Sequence, residues 1–269
     1  MIGQEFAGFT IVRRLTSGGM TQLDVGVDTH QHRAVIRRLK ADCLKDRRTR
    51  KNFLHGAEVL SKMHHPNIVR LIKAGKFKGE PYMATEFIEA RNIKDLIFAK
   101  SPLLYENVLT MFRQIAAAVH HVHVTGYWHL DIKPENFIVR EDGLVVLVDF
   151  DLAIARKPKS VKLSPMPGTF SYMPPESLER HTVDDQTDIF SFGVTCYEIL
   201  TGHNPFEGIT VEDAKRNMID PNVRPMKISL HNVRIPPQLE AVIFKCLAKP
   251  KEERYPSIGL VIRDLETIV

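Results

Sequence analysis

Four side chains near the middle of the sequence could share one piece of chemistry. Asp131, Lys133 and Asn136 fall within six residues in the stretch YWHLDIKPENFIV, residues 127–139, which reads as a loop. Asp149 follows after a turn and the five-residue apolar strand LVVLV, residues 144–148. Two carboxylates, an amide and an ammonium suit divalent metal and phosphate chemistry. One carboxylate can act as a base toward a hydroxyl, the amide and the other carboxylate offer hard oxygen ligands to Mg²⁺, and the cation can balance a moving phosphoryl group. The plainer alternative is that the aspartates only accept backbone hydrogen bonds at turns.

Two kinds of element must hold these residues. From Phe9 to about Phe87 the chain reads as short strands, FTIVRRL, QLDVGVD, RAVIRRL, IVRLIKAG and PYMATEFI. One helix interrupts them over 50–63, where Phe53, Leu54, Ala57, Leu60 and Met63 recur at helical spacing before Pro66. Beyond about Ala90 helices take over. Val108, Met111, Phe112, Ile115, Val119 and Val122 form one stripe of a helix over 104–124 that Gly126 ends, and further helices are predicted over 185–200, 211–218, 237–247 and 257–268. The Pro-containing stretches 157–175 and 204–236 read as long loops. A strand-rich part followed by a larger helical part implies two lobes and a cleft, with boundaries at 1–88 and 89–269.

Composition narrows the classes. A chain of 269 residues with 43% hydrophobic and 26% charged residues is ordinary for a folded globular protein of one or two domains. The formal charge of +5 is compatible with anionic partners, but nothing in the pattern makes nucleic acid the expected one. Cys43, Cys196 and Cys246 are odd in number and far apart, which argues against a disulfide framework or a zinc site and for a reducing, cytoplasmic setting. No leader-like N-terminus and no run of 18 apolar residues occurs, so no membrane segment is expected in this chain.

At the first four residues the sequence resembles the protein kinase family: HLDIKPEN, residues 129–136, is similar to H-R-D-x-K-P-x-x-N, and Asp149-Phe150-Asp151 to D-F-G. The resemblance runs from Leu15 to Arg254 with its elements in order. LTSGGMTQL, residues 15–23, resembles a glycine-rich loop in a form reminiscent of bacterial Ser/Thr kinases, with Gly18 matching and Gly19 beside it. Thr85-Glu86-Phe87-Ile88 resembles the gatekeeper and hinge, Gly168-Thr169 through Pro174-Pro175-Glu176 the substrate-side loop, and residues 188–193 the start of the buried large-lobe helix. The resemblance implies a two-lobed α+β fold, with a small antiparallel sheet and a mainly helical large lobe. It further implies ATP and Mg²⁺ as cofactors and a protein substrate or partner. Asp131 and Lys133 would be catalytic, Asn136 and Asp149 would hold Mg²⁺, and Gly18, Gly19, Arg37, Glu86 and Ile88 would hold nucleotide. Glu176 and Arg254 would form a structural ion pair, and His129 and Phe150 would be core residues stacking with Leu60 and Leu71. Lys133 with Gly168-Thr169 is the pattern of Ser/Thr acceptors.

The pattern is broken in five places. Arg37 stands where the family has its phosphate-binding lysine, keeping the charge but not the shape, and Val35 stands where a small residue is usual. Strand alternation turns Arg38 to the opposite face. Counting back nine residues from His65 puts Gly56 where the helix glutamate belongs, and Glu58 lies on another face. Thr16 and Thr21 replace two loop glycines. Asp151 replaces the glycine of D-F-G, and Leu130 replaces the arginine that reads a phosphate on the activation segment, which removes that route of activation. Two functions follow from this mixture: phosphotransfer from ATP to Ser or Thr with an altered anchor, or a pseudokinase scaffold or allosteric partner with weak or no nucleotide binding. A small-molecule phosphotransferase is disfavoured by the substrate-side loop at 168–176. His120, His121 and His123 point in different directions along a helix and read as partly exposed rather than as metal ligands. The basic runs 45–51 and 156–162 read as solvated charge or as contacts for acidic partners, and Ser160 and Ser164 are phosphosite candidates by position.

Overall fold

Alternation of apolar and polar residues in the first 89 positions builds an antiparallel sheet. In the computed structural model, which describes residues 2–17, 20–231 and 235–268, the strands are β1 (Glu5–Phe6), β2 (Phe9–Ser17), β3 (Thr21–Val27), β4 (Arg33–Leu39), β5 (Leu71–Phe77) and β6 (Glu80–Glu86). They lie in the order β1-β2-β3-β4-β6-β5. Period-2 geometry sorts β4 onto two faces. Ala34 and Ile36 pack with Phe6, Phe9, Ile11, Tyr82 and Ala84, whereas Leu39 joins Met83 and the helix residues Phe53 and Ala57.

That helix, α1 (Arg47–Leu60), starts earlier than its apolar stripe predicts because Asp46 caps it. The Asp46 carboxylate accepts from the Arg48 N–H at 3.0 Å and the Thr49 hydroxyl at 2.6 Å, meeting donors that a helix leaves unsatisfied at its start. The basic run 45–51 is therefore largely the exposed first turn of α1.

Chain contacts divide the protein into two compact units, Met1–Glu89 with Asp149–Asp151, and Ala90–Val148 with Leu152–Val269. The second unit contains α2 (Ile93–Phe98), α3 (Val108–Val124), α4 (Pro175–Arg180), α5 (Asp185–Thr201), α6 (Val211–Ile219), α7 (Pro237–Cys246) and α8 (Ile258–Glu266). A small sheet pairs β7 (Arg91–Asn92) and β10 (Val145–Leu147) on either side of β9 (Phe137–Val139). Two pairs of two-residue strands complete this unit: β8 (Tyr127–Trp128) pairs with β11 (Ile154–Ala155), and β12 (Val161–Lys162) pairs with β13 (Thr182–Val183).

Helix α5 is buried from Thr187 to Leu200, and its polar stripe of Asp188, Ser191, Thr195 and Glu198 is buried with hydrogen-bond partners inside the protein. Asp184 and Thr187 form a capping box at its start. The expected ion pair is present and buried: Arg254 donates from both guanidinium nitrogens to the two Glu176 oxygens at 2.7 and 3.3 Å. The stretch 157–175 is not wholly irregular, since it contains β12, and within 204–236 the helix expected over 211–218 is present as α6.

Candidate active site

The loop after β8 gathers three of the predicted residues. Asn136 donates from Nδ2 to the Asp131 carbonyl at 2.8 Å and to Asp131 Oδ2 at 2.9 Å. Lys133 Nζ lies 2.8 Å from the same Oδ2 and donates to Thr169 Oγ1 at 2.7 Å. The Thr169 hydroxyl in turn donates to Asp131 Oδ1 at 2.8 Å. Asp131 thus holds an alcohol of the Ser/Thr type on one oxygen while a cation and an amide fix the other, the arrangement a base needs to orient a hydroxyl. Gly168 makes this placement possible. Its φ is +111°, and a Cβ there would lie 2.6 Å from the Leu130 carbonyl oxygen, so a side chain would push Thr169 away.

A buried carboxylate pins the loop from below. Asp188 of α5 accepts from the Leu130 N–H on Oδ1 and the His129 N–H on Oδ2, both at 2.8 Å, and His123 Nε2 lies 2.8 Å from Oδ2. Burial alone would push the Asp188 carboxyl up, but the His123 ring and the loop amide hold it below the ordinary carboxylate range. These bonds hold Leu130 at a φ of +63°, a left-handed conformation costly for a branched residue. The Leu130 side chain is turned into the protein interior. It is buried with Trp128 and Val183, and Ile154, Val161, Leu163 and Met166 pack on that cluster. The activation segment is therefore attached to this loop by apolar contact. Arg156, at the start of the predicted basic stretch, forks onto Asp185, which also accepts from the Trp128 indole at 2.6 Å.

In the first unit, Arg37 extends from β4 to both carboxylates of the D-F-D segment. Its two terminal nitrogens reach Asp149 at 3.1 and 3.2 Å and Asp151 at 3.0 and 2.6 Å. Phe53 of α1 lies under the guanidinium, 5.6 Å from ring centre to Cζ. Burial would pull Arg37 down, and the two carboxylates more than reverse this, so it stays charged. Arg38 occupies the opposite face, as alternation predicts: it is buried over the Phe6 ring and donates to Asp24 at 2.7 Å. Glu58 is on the outer side of α1, where Lys62 donates to it at 2.9 Å.

Of the other predicted residues, Glu86 ends β6. Its N–H donates to the Arg70 carbonyl at 3.0 Å and its carboxylate accepts from the Arg70 N–H at 2.8 Å. Ile88 is half-buried just beyond the strand. Gly18 and Gly19 lie outside the described residues, while Thr16 and Thr21, the substituted loop positions, are built into the β2–β3 and β3–β4 ladders opposite Leu23 and Leu39. Among the described residues no three His, Cys, Asp or Glu side chains gather into a metal cluster. The sequence reading missed the contact of Asp151 with Arg37. Its signal was present in the joint departure of positions 37, 56 and 151 from one family pattern.

The two units, the caged aspartate and the D-F-D segment define the class. A profile of the protein kinase domain matches residues 9–262, and the chain belongs to the protein kinase family, with the two-lobed kinase fold. Its relatives are bacterial Ser/Thr kinases. It is 31% identical to the serine/threonine-protein kinase PknD of Mycobacterium tuberculosis over 96% of this chain and 39% of that protein. It is 28% identical to PrkC of Bacillus subtilis over 99% of this chain and 41% of that one. The chain thus spans about two fifths of the length of the curated relatives it matches. The crystal structure of the Mycobacterium tuberculosis PknI kinase domain shares the fold, with a TM-score of 0.74 at 21% identity, covering 99% of this chain and 98% of that one. Among the described residues no helix is long and apolar enough to cross a membrane.

Proposed function

We propose that this chain transfers the γ-phosphoryl group of ATP to Ser or Thr hydroxyls of a protein substrate. The observation that carries the reading is the Thr169 hydroxyl held between Asp131 Oδ1 at 2.8 Å and Lys133 Nζ at 2.7 Å. In the reaction the acceptor oxygen forms a bond to the γ-phosphorus, the bond to the bridging oxygen breaks, ADP leaves, and Asp131 takes the hydroxyl proton. Lys133 balances charge on the transferring group. Arg37 supplies the positive charge that the family draws from a lysine. Gly18 and Gly19 are assigned to the phosphates, and Glu86 and Ile88 to adenine through their backbone.

Mg²⁺, when bound, would neutralise phosphate oxygens, and Asn136 and Asp149 are its proposed ligands. Their chemistry fits: with Nδ2 committed to Asp131, Asn136 offers an amide oxygen, and Asp149 a carboxylate. Three cysteines without disulfides suit a reducing cytoplasm, where ATP is supplied. A protein acceptor is favoured by the Gly168–Thr169 loop.

One observation favours a second reading, a scaffold without phosphotransfer: both Asp149 oxygens are engaged by Arg37. The deciding assay supplies γ-labelled ATP with Mg²⁺ to the protein alone and with a generic basic protein, beside Asp131→Asn. Transfer that disappears in the variant supports the kinase. Control-level label with several substrates and with Mn²⁺ supports the scaffold.

A further inference from the structure

The three departures at Arg37, Gly56 and Asp151 meet at one place. A Cβ built on Gly56 would lie 2.7 Å from Asp151 Oδ1, 3.0 Å from Asp151 Cα and 3.1 Å from its amide nitrogen. The contact with the carboxylate oxygen is closer than real Cβ atoms come and the two backbone contacts are tight, so α1 accepts a side chain at 56 only if Asp151 shifts away from it. Asp151 therefore occupies the space beside α1 where a residue at position 56 would begin its side chain, and it presents its carboxylate to Arg37.

The two carboxylates on Arg37 are not equivalent. Asp151 makes the shorter bond, 2.6 Å, and its side chain is 14% exposed; the Asp149 bonds are 3.1 and 3.2 Å, and its side chain is 33% exposed. Charge-assisted N–H···O bonds at or below about 2.9 Å are the strong ones, and only the 2.6 Å bond to Asp151 is that short. Asp151 also donates its N–H to Asp149 Oδ1 at 3.0 Å, so the same residue orients both the cation and the neighbouring carboxylate.

We propose that Asp151 is the positioning residue of Arg37, standing in for the carboxylate that α1 lacks at Gly56, so that Arg37, Gly56 and Asp151 work only as a set. Asp151 keeps Arg37 anchored when Asp149 turns to a metal ion; this part of the proposal rests on the phosphotransfer reading, and the pairing itself does not. The set explains why the loss of a helix glutamate, a lysine and a glycine need not be three separate injuries.

The test is a cycle of variants in the full chain: Gly56→Ala, Asp151→Gly, Gly56→Glu with Asp151→Gly, and Gly56→Ala with Asp151→Gly. Thermal unfolding without nucleotide is the first readout. Gly56→Ala should lower the midpoint by about 4 °C when Asp151 is present and should leave it unchanged or raise it when position 151 is glycine, since alanine favours the helix. Equal losses in both backgrounds would overturn the proposal. The second readout is affinity for a fluorescent ATP analogue with Mg²⁺. Asp151→Gly should weaken it about tenfold, and adding Gly56→Glu should restore it to within about threefold; Asp151→Gly binding as tightly as the parent would contradict the positioning role. If the parent chain binds no nucleotide, the phosphotransfer reading fails alone, and the unfolding cycle still decides the set.

Discussion

The Thr169 hydroxyl donates to Asp131 Oδ1 at 2.8 Å, placing an alcohol on the oxygen that the proposed reaction needs for its acceptor. Lys133 bridges the two residues, so Thr169 braces both of the side chains proposed to be catalytic. Thr169→Val removes the hydroxyl while keeping the volume. It should lower kcat about tenfold, the loss of a hydrogen bond to a charged group, and move the unfolding midpoint by less than about 2 °C.

Leu130 is expected to make the activation segment independent of phosphate. In the proposed kinase, its apolar contact with Val161, Leu163 and Met166 would take the place of an arginine and a phosphate. Replacing Ser160 and Ser164 together by Ala should leave the transfer rate within about twofold, well under 1 kcal/mol in barrier. Leu130→Ala should cost about 2–4 kcal/mol in urea unfolding and speed proteolytic cutting within residues 154–166.

Acid should unfasten the loop through Asp188. Its carboxyl titrates below the ordinary range in the folded chain, burial opposing and the His123 ring and backbone N–H groups favouring the charged form. The folded state therefore binds fewer protons here than the unfolded state. The stabilisation is complete above the unfolded carboxyl's pKa of about 4 and is lost as pH falls through the lower folded value. Asp188→Asn should flatten the dependence of unfolding free energy on pH in that acid window, and at neutral pH should cost about 3 kcal/mol by leaving a buried pair unmatched. A pH profile that superposes on the parent's would contradict this.

The Glu176–Arg254 pair is structural, with the Arg254 side chain wholly buried and bound also to the Ala248 and Lys249 carbonyls. Arg254→Met strands a buried carboxylate. It should cost about 3–5 kcal/mol of stability, read by urea unfolding, with any loss of activity following the folded fraction.

Much of this was legible in residue order because periodicity is a local property. The β4 alternation sends Arg37 and Arg38 to opposite faces, and both are found there. Helix ends were less legible: Asp46 as a cap adds a turn before the apolar stripe begins. Gly56 shows why the remainder was not. Read along the chain it is a missing glutamate and a weak helix position; only the approach of Asp151, from nearly a hundred residues away, shows that the space is filled and the charge supplied. Leu130 is similar, since its substitution announces the absence of a phosphate reader but not the apolar cluster that takes its place.

The central claim is that Asp131 promotes phosphoryl transfer to an alcohol. The most direct measurement is the rate of phosphoserine and phosphothreonine formation with ATP and Mg²⁺, residues identified by mass spectrometry, for the parent chain and for Asp131→Asn of matched stability. The account predicts phosphate on Ser or Thr, with a rate at least about 10²-fold higher in the parent, the scale of general-base catalysis. Equal rates in the two proteins, or no phosphorylated residue in either, would contradict it.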